Sequence, residues 1–230
     1  MRAKRGRCRS IPRTFILFFM ITPALSSRLK GSPKVYDEAY FAKWYRDPRT
    51  RVHTPESVRR KVRMVLGVAE YFLRRKVRSV LDIGCGEGAW RGELRLLRPD
   101  VRYQGIDPSS YVVRKHGRRR NISLGRFEDL PQLRLGRRKY DLIICADVLQ
   151  YVADSALQSG VQRIAAMLGG VAFLEAYTSG DEMEGDLSGW HPRSKLEYWA
   201  IFNSAGLTGC GLHCYLNDEM AQRGVELELV

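Results

Sequence analysis

The sequence lacks an apolar segment long enough to cross a bilayer. Its apolar run at residues 15–25 has eleven residues, whereas a membrane-spanning helix needs about 20. It also has no internal repeat and no low-complexity segment, which excludes fibrous repeats. Cysteine is scarce, with five residues scattered along the chain. An odd, scattered set is not typical of a secreted disulfide framework, so a reducing compartment fits better.

Acidic residues are absent from residues 1–30, which contain eight basic ones. Without that segment, 31 Lys and Arg face 25 Asp and Glu, so the formal charge falls from +14 for the whole chain to +6 for residues 31–230. The basic excess therefore belongs mainly to the N-terminal segment and is weak evidence for a nucleic-acid partner. The composition, 44% hydrophobic and 28% charged, is that of a globular domain. A chain of this length can bury a core without disulfides.

The N-terminal segment has the layout of a secretory signal peptide, with basic residues, the apolar run and then small residues around Ser26. Two other interpretations stay open: an Arg-rich transit peptide, or sequence upstream of a true start at Met20. In each case we expect residues 1–31 to be disordered or a non-native extension. The folded domain is then residues 32–230.

From residue 32 onward, short apolar runs alternate with helical patterns. Helices are predicted at 36–45, after the cap Thr54, after the cap Asp154 as far as Gly169, and after the capping box Ser194…Glu197. Strands are predicted at 79–83, 101–106, 121–127, 140–145, 170–174, 207–216 and 225–230. Strand–helix alternation at this spacing predicts βαβ units. The fold class is therefore α/β, a parallel sheet with helices on both faces.

A strand runs directly into a glycine-rich turn at residues 80–88, VLDIGCGEG. Glycines such as Gly84, Gly86 and Gly88 adopt backbone angles that a β-carbon disfavours, and they let a ligand approach the bare backbone. In an open α/β sheet this turn lies at the carboxyl end of the strand, where ligands bind. The same residues satisfy a loose dinucleotide pattern, so a nicotinamide-dependent oxidoreductase stays open.

Two carboxylates near the turn distinguish a dinucleotide, which carries a pyrophosphate, from a positively charged nucleoside. Asp82 precedes the first glycine by two residues, and Asp107 ends the next strand, 21 residues after Gly86. Asp82 would repel a pyrophosphate but attract a cationic ligand. Asp107 is placed to accept hydrogen bonds from ribose hydroxyls. The turn and the two acids predict a pocket for a nucleoside that carries a positive charge.

With these residues the chain resembles the class I S-adenosylmethionine-dependent methyltransferases, whose first motif is hydrophobic-D-x-G-x-G-x-G. The resemblance covers roughly residues 55–215. It implies a doubly wound, mostly parallel seven-stranded sheet whose last strand is antiparallel, with S-adenosylmethionine as cofactor. It assigns the methionine portion to the backbone of Gly84, Cys85 and Gly86, with Asp82 nearby. It assigns the ribose to Asp107 and the adenine flank to Pro108.

The resemblance extends to a third motif at residues 125–131 and a fourth at 140–152. Many relatives carry an acid at the Arg126 position, so Phe127 and Glu128 would serve through backbone and edge contacts. Ala146, in the fourth motif, completes the expected cofactor set. Relatives often carry a histidine where this chain has Tyr151, which is a poor base because the ordinary pKa of tyrosine is about 10.

The expected reaction is in-line methyl transfer to an oxygen, nitrogen or carbon atom. An activated donor needs mainly alignment and exclusion of water, so no obligatory catalytic residue can be read from the sequence. Asp147, Tyr151 and His191 are the candidates for catalysis. Asp147 is equally well interpreted as a helix cap.

A small-molecule acceptor is expected, with RNA or protein as the alternatives and an inactive scaffold as another class. The motifs of exocyclic-amine and cytosine C5 methyltransferases are absent from the sequence. The acidic segment 175–186 is either a solvated loop or a receptor for a cationic substrate. The aromatic residues of 36–45 are either a lid or helix packing. Cytoplasmic location follows from the intracellular donor. No stable membrane insertion is expected, and no metal site either, since Cys210 and Cys214 fit an apolar pair better than metal ligands.

Overall fold

A computed structural model describes residues 34–182 and 185–230, so the predicted tail at residues 1–31 lies outside the described residues. Seven described strands form one sheet in the order β3-β2-β1-β4-β5-β7-β6. They are β1 Ser79–Ile83, β2 Arg102–Asp107, β3 Ile122–Leu124, β4 Tyr140–Ala146, β5 Leu168–Glu175, β6 Leu207–Gly209 and β7 Cys214–Asn217. The first five are parallel, and β7 is antiparallel to both its neighbours. The predicted fold class, α/β and doubly wound with an antiparallel last strand, is confirmed.

Helices cover both faces of the sheet. They are α1 Glu38–Phe41, α2 Pro55–Leu73, α3 Ala89–Leu97, α4 Ser110–Arg120, α5 Asp154–Met167, α6 Lys195–Ser204 and α7 Asp218–Ala221. The apolar sides of α2 and α3 pack on one face, and those of α5 and α6 on the other. None of the helices in the described part of the chain is long and apolar enough to cross a membrane.

The central strands are buried on both sides, which explains their nearly continuous apolar sequence. Because successive side chains point to opposite faces, Val80 packs in the α2–α3 layer and Leu81 in the α5–α6 layer. Thr54 caps α2 as predicted, its Oγ1 accepting the Ser57 N–H at 3.0 Å. The capping box at Ser194 likewise begins α6.

The last two predicted strands differ from the structure. Residues 207–216 form two strands, β6 and β7, because the chain reverses after Gly211, where Leu212 and His213 adopt positive φ angles of 52° and 59°. The predicted strand at 225–230 is wrong. Glu226–Glu228 is a 3₁₀ turn instead, and the Glu228 carboxylate accepts the Val225 N–H at 3.0 Å.

Smaller differences occur around α5 and at the N-terminal aromatic segment. Asp154 is the first residue of α5 and not its cap, because its carboxylate accepts from Arg193 Nε at 2.7 Å. Gly169 lies in β5 and does not end the helix. The predicted helix at 36–45 is a short α-helix continued by a π-helical turn, Ala42–Arg46.

The parallel register brings three strand ends together. Ile83 pairs with Ile106 on one side and with Cys145 on the other. The segments that follow β1, β2 and β4 therefore open at the same edge of the sheet. Every predicted cofactor residue lies in these segments, in the strand ends that lead into them, or in the turn after β3.

Candidate active site

The glycine turn after β1 is held against β2. The backbone N–H groups of Gly84 and Cys85 both donate to the Ile106 carbonyl oxygen, at 2.9 and 3.1 Å. Gly84 has a φ of +67°, and a Cβ there would collide with the side chain of Val148. The position therefore requires glycine for both its conformation and the space around it.

Asp107, at the end of β2, ties the turn to the next strand. Its Oδ2 accepts the Gly86 N–H at 2.8 Å, and its Oδ1 accepts the Ser109 N–H at 2.9 Å. Burial raises the pKa of this carboxyl group to about 6, although the two backbone N–H groups act in the opposite direction. Asp107 is therefore mainly ionised at pH 7. With one bond on each oxygen, it has lone pairs left for a ligand.

Asp82 lies beneath the turn and does not line the cavity. It is 2% exposed, and its Oδ2 accepts from the Tyr103 hydroxyl at 2.7 Å. Burial raises its pKa to about 7, and the charge of Asp107 adds to that rise. Asp82 pairs with Gly105 of β2, two residues before Asp107, so the two acids lie at the same edge of the sheet, as the sequence predicts, and of the two Asp107 lines the cavity.

A cavity of about 510 Å³ opens at this edge of the sheet. The predicted residues that line it are Gly84, Asp107, Pro108, Phe127, Glu128, Ala146, Asp147 and Tyr151. The predicted residues outside its lining are Asp82, Cys85, Gly86, Gly88 and His191. His191 is exposed and is held by its backbone N–H, which donates to the Gln150 carbonyl at 2.7 Å. Its catalytic role stays a prediction.

Residues 34–46, named here the N-terminal strap, cover the glycine turn. Phe41 of the strap is buried, and a Cβ on Gly86 would lie 3.4 Å from its ring and 3.1 Å from that of Tyr45. Arg46 pairs with Glu87 at 2.6 Å, and the Tyr36 carbonyl accepts from Ser109 Oγ at 2.5 Å. The strap is thus fixed to the segments after β1 and β2.

The aromatic residues of the strap face the cavity. Tyr36, Tyr40 and Trp44, which the sequence places on one helix side, all line it. Burial raises the pKa of Tyr36 to about 12. Of the two sequence interpretations, lid or helix packing, the position over the cavity favours a lid.

Asp147 begins the segment after β4 with a positive φ of 59°, a conformation that aspartate adopts more readily than most residues. It does not cap a helix by its side chain, since the following 3₁₀ turn Leu149–Tyr151 begins after Val148. Its carboxylate accepts instead from Gln150 Nε2. Burial raises its pKa to about 6.

Three further polar side chains lie near Asp147, and the sequence analysis does not predict their contacts: Lys61, Glu175 and His53. Lys61 of α2 donates to both carboxylate oxygens of Glu175, at 2.6 and 2.7 Å. His53 Nε2 is 3.8 Å from Asp147 Oδ2, and burial together with the charge of Lys61 lowers the pKa of this histidine. Lys61 and Glu175 are 114 residues apart in the sequence, so no local sequence pattern predicts their contact.

Cys210 and Cys214, which the sequence assigns to an apolar pair, lie close together in the described part of the chain. No group of three His, Cys, Asp or Glu side chains suited to a metal ion is found there. Cys214 is buried in the core, and Cys210 is partly buried against it. Cys210 follows β6 directly and Cys214 begins β7, and the Cys210 N–H donates to the Cys214 carbonyl at 2.9 Å.

The comparison with known families decides the identity. The family model described as a methyltransferase domain matches residues 55–226. The chain belongs to this methyltransferase family. No curated protein sequence matches it. The family match also decides against the nicotinamide-dependent oxidoreductase left open by the glycine pattern.

Solved structures share the fold of this methyltransferase. CalS10, an amino pentose methyltransferase from Micromonospora echinaspora solved with S-adenosylmethionine, has 17% identity and a TM-score of 0.57 over 78% of this chain and 93% of its own. A SAM-dependent methyltransferase from Archaeoglobus fulgidus has 15% identity and a TM-score of 0.52 over 74% and 73%. Streptomyces venezuelae DesVI has 18% identity and a TM-score of 0.53 over 67% and 84%. The predicted class I S-adenosylmethionine-dependent methyltransferase is confirmed in family and fold.

Proposed function

We propose that this methyltransferase transfers a methyl group from S-adenosylmethionine to an oxygen, nitrogen or carbon atom of a small molecule in the cytoplasm. The observation that carries the proposal is the cavity at the shared ends of β1, β2 and β4. Asp107 and the bare backbone of Gly84 line the same cavity. This is the edge where open α/β sheets bind nucleotides.

The residues present fit S-adenosylmethionine. Asp107 offers a buried, ionised carboxylate with free lone pairs, which suits the two hydroxyls of a ribose. Pro108, Phe127 and Glu128 line the same cavity and would flank the adenine. Asp107, together with Asp82, whose pKa of about 7 leaves it partly ionised at neutral pH, favours a cationic ligand over a pyrophosphate.

The bound cofactor would supply a methyl group on a positively charged sulfur, which leaves as a neutral thioether. The protein's contribution is then alignment and exclusion of water. The N-terminal strap lies over the glycine turn and can exclude water from it. Asp147 and Tyr151 line the cavity as well, which supports a role for them in contacting the acceptor.

Enclosure by the strap favours a small acceptor. The cavity volume of about 510 Å³ falls within the range of about 300–1,000 Å³ that is usual for small-molecule sites. An RNA or protein acceptor would have to reach a site that the strap covers. A free metabolite can enter through a smaller opening.

The experiment is activity profiling with methyl-labelled S-adenosylmethionine against three separated acceptor pools: small metabolites, total RNA and total protein. The proposal expects label in the metabolite pool. Label in RNA or protein would contradict the small-molecule acceptor. Cofactor binding without transfer to any pool would indicate an inactive scaffold. An Asp107→Asn variant should lose most of the label transfer, and Asp100→Asn, altered at an exposed acid in the turn before β2, controls for the effect of losing a carboxylate.

A further inference from the structure

An ammonium group of the protein itself lies inside the cavity. Lys34 Nζ is 3.8 Å from the centre of the Tyr151 ring and 5.8 Å from the centres of both Tyr36 and Tyr40. Each distance is within the range of about 6 Å in which an aromatic face attracts a cation. Only 14% of the Lys34 side chain is exposed. The three rings and Asp186 are named here the tyrosine cage.

Asp186 provides the charge that balances this ammonium. Its Oδ2 is 2.9 Å from Lys34 Nζ, and its Oδ1 accepts the Ser188 N–H at 3.0 Å. Its carbonyl oxygen accepts from the Tyr151 hydroxyl at 2.8 Å, which fixes that ring relative to the acid. The cage therefore combines a carboxylate with ring faces, the two kinds of group that hold an organic ammonium.

The position of the cage makes it part of the ligand cavity. Lys34, Tyr36, Tyr40, Tyr151 and Asp186 all line the same cavity as Asp107. Asp147 lines it as well, directly after β4. A second carboxylate is therefore present in the same cavity as the ammonium.

Lys34 is not the only attachment of the strap within the described residues. The Arg46–Glu87 ion pair, the bond from Ser109 to the Tyr36 carbonyl and the burial of Phe41 also hold it. Burying an ammonium has a desolvation cost, and a purely structural tie could be made at the surface without that cost. The lysine occupies space that a ligand could take.

We propose that the tyrosine cage is the acceptor subsite for a small primary or secondary amine, which binds as its ammonium ion and displaces Lys34. This inference rests on the proposed function and narrows its acceptor to nitrogen. In the free protein Lys34 acts as an internal substitute for the substrate, and the acidic end of segment 175–186 supplies the receptor for its charge.

Methyl transfer to this amine begins with loss of a proton. The bound ammonium gives one proton to the Asp147 carboxylate, which frees the nitrogen lone pair. That pair forms the new nitrogen–carbon bond while the sulfur–carbon bond of S-adenosylmethionine breaks, its electrons remaining on sulfur. The product is an N-methylammonium ion, which still carries a positive charge for Asp186, and Asp147 later returns its proton to water.

The test is an NMR titration with n-butylammonium, which copies the lysine side chain, and with 1-butanol, its neutral counterpart. A Lys34→Ala variant vacates the cage and should bind n-butylammonium at least about 10-fold more tightly than the wild type does, with little change for 1-butanol. Adding Asp186→Asn should remove that gain. Lys43→Ala is the matched control, because Lys43 Nζ lies 4.2 Å from the Trp44 ring in the same strap, outside the cavity lining. It should behave like the wild type.

Equal binding of the two probes by Lys34→Ala, or the same gain in Lys43→Ala, would overturn the cage. Should Lys34→Ala not fold, Lys34→Gln keeps most of the side-chain length without the charge and is held to the same criteria. S-adenosylmethionine binding is measured on the same samples. If Lys34→Ala binds S-adenosylmethionine but does not prefer n-butylammonium to 1-butanol, the amine subsite is refuted and the proposed function is not. Transfer of label only to hydroxyl compounds has the same consequence. A wild type that binds no cofactor refutes the proposed function, while the probe titration still reports on the cage.

Discussion

Replacing Asp82 by asparagine should stabilise the protein at neutral pH. The carboxyl group is buried beneath the glycine turn and accepts one hydrogen bond, from the Tyr103 hydroxyl at 2.7 Å. Asparagine is nearly the same size, and its carbonyl oxygen can accept the same bond. The substitution therefore removes the buried charge while keeping the contact.

The magnitude follows from the pKa of Asp82, which burial raises from 3.8 to about 7. A group with a raised pKa in the folded state stabilises the fold fully below pH 3.8, and that contribution is lost as the pH rises through about 7. A difference of about three pKa units corresponds to a loss of about 4 kcal/mol at pH 7. We expect Asp82→Asn to recover about 2–4 kcal/mol of unfolding free energy at pH 7 and little at pH 4.

Urea unfolding at pH 4, 5.5 and 7 measures this effect. Some pH dependence should persist in the variant, because the pKa values of Asp107 and Asp147 are each raised to about 6. Asp141→Asn is the control with the opposite sign. Asp141 pairs with both terminal nitrogens of Arg75 at 2.8 Å, and its pKa is lowered, so its loss should destabilise the protein at pH 7 and much less at low pH. An Asp82→Asn variant less stable than the wild type at pH 7, with an unchanged pH slope, would refute the reasoning.

Two further substitutions, one of them with a control, test the turn and the acceptor side. Gly84→Ala should lower the unfolding free energy by about 2 kcal/mol or more, because alanine would have to adopt a left-handed backbone conformation and its Cβ would collide with Val148. The control is Gly92→Ala in α3, which has open space around it and should be neutral or stabilising by about 1 kcal/mol in the same urea assay. Asp147→Asn should lower kcat by about 100-fold or more while leaving calorimetric S-adenosylmethionine affinity within about threefold. Full activity in Asp147→Asn would remove it from the reaction.

The local patterns predicted the strands and turns nearest the site. The apolar residues of β1, which end at Ile83, are buried on both faces, and three glycines with positive φ angles follow them. A short apolar run followed by closely spaced glycines is typical of a buried strand that leads into a ligand-binding turn. The C-terminal end was harder. The alternation at residues 225–230 resembles a strand, but Leu227 is 97% exposed and lies in a 3₁₀ turn. The described residues still form seven strands, the predicted number, because residues 207–216 contribute to two of them.

Long-range contacts explain what the sequence could not indicate at the site. Alternation along β1 places the Asp82 side chain in the layer of Tyr103, away from the cavity, although the motif places it beside the cofactor. Lys34 reaches Tyr151 and Asp186 across more than 100 residues. Neither residue gives a local signal, since the strap and the segment after β5 meet only when the sheet has formed.

The most direct test of the cofactor site is a calorimetric titration of the wild type and of Asp107→Ala with S-adenosylmethionine and with NAD⁺. Wild-type protein should bind S-adenosylmethionine and not NAD⁺, and Asp107→Ala should bind it at least about 10-fold more weakly, since a charge-assisted hydrogen bond to a buried carboxylate contributes about 1.5–3 kcal/mol. Unchanged affinity in Asp107→Ala, or binding of NAD⁺ in place of S-adenosylmethionine, would contradict the assignment of this cavity.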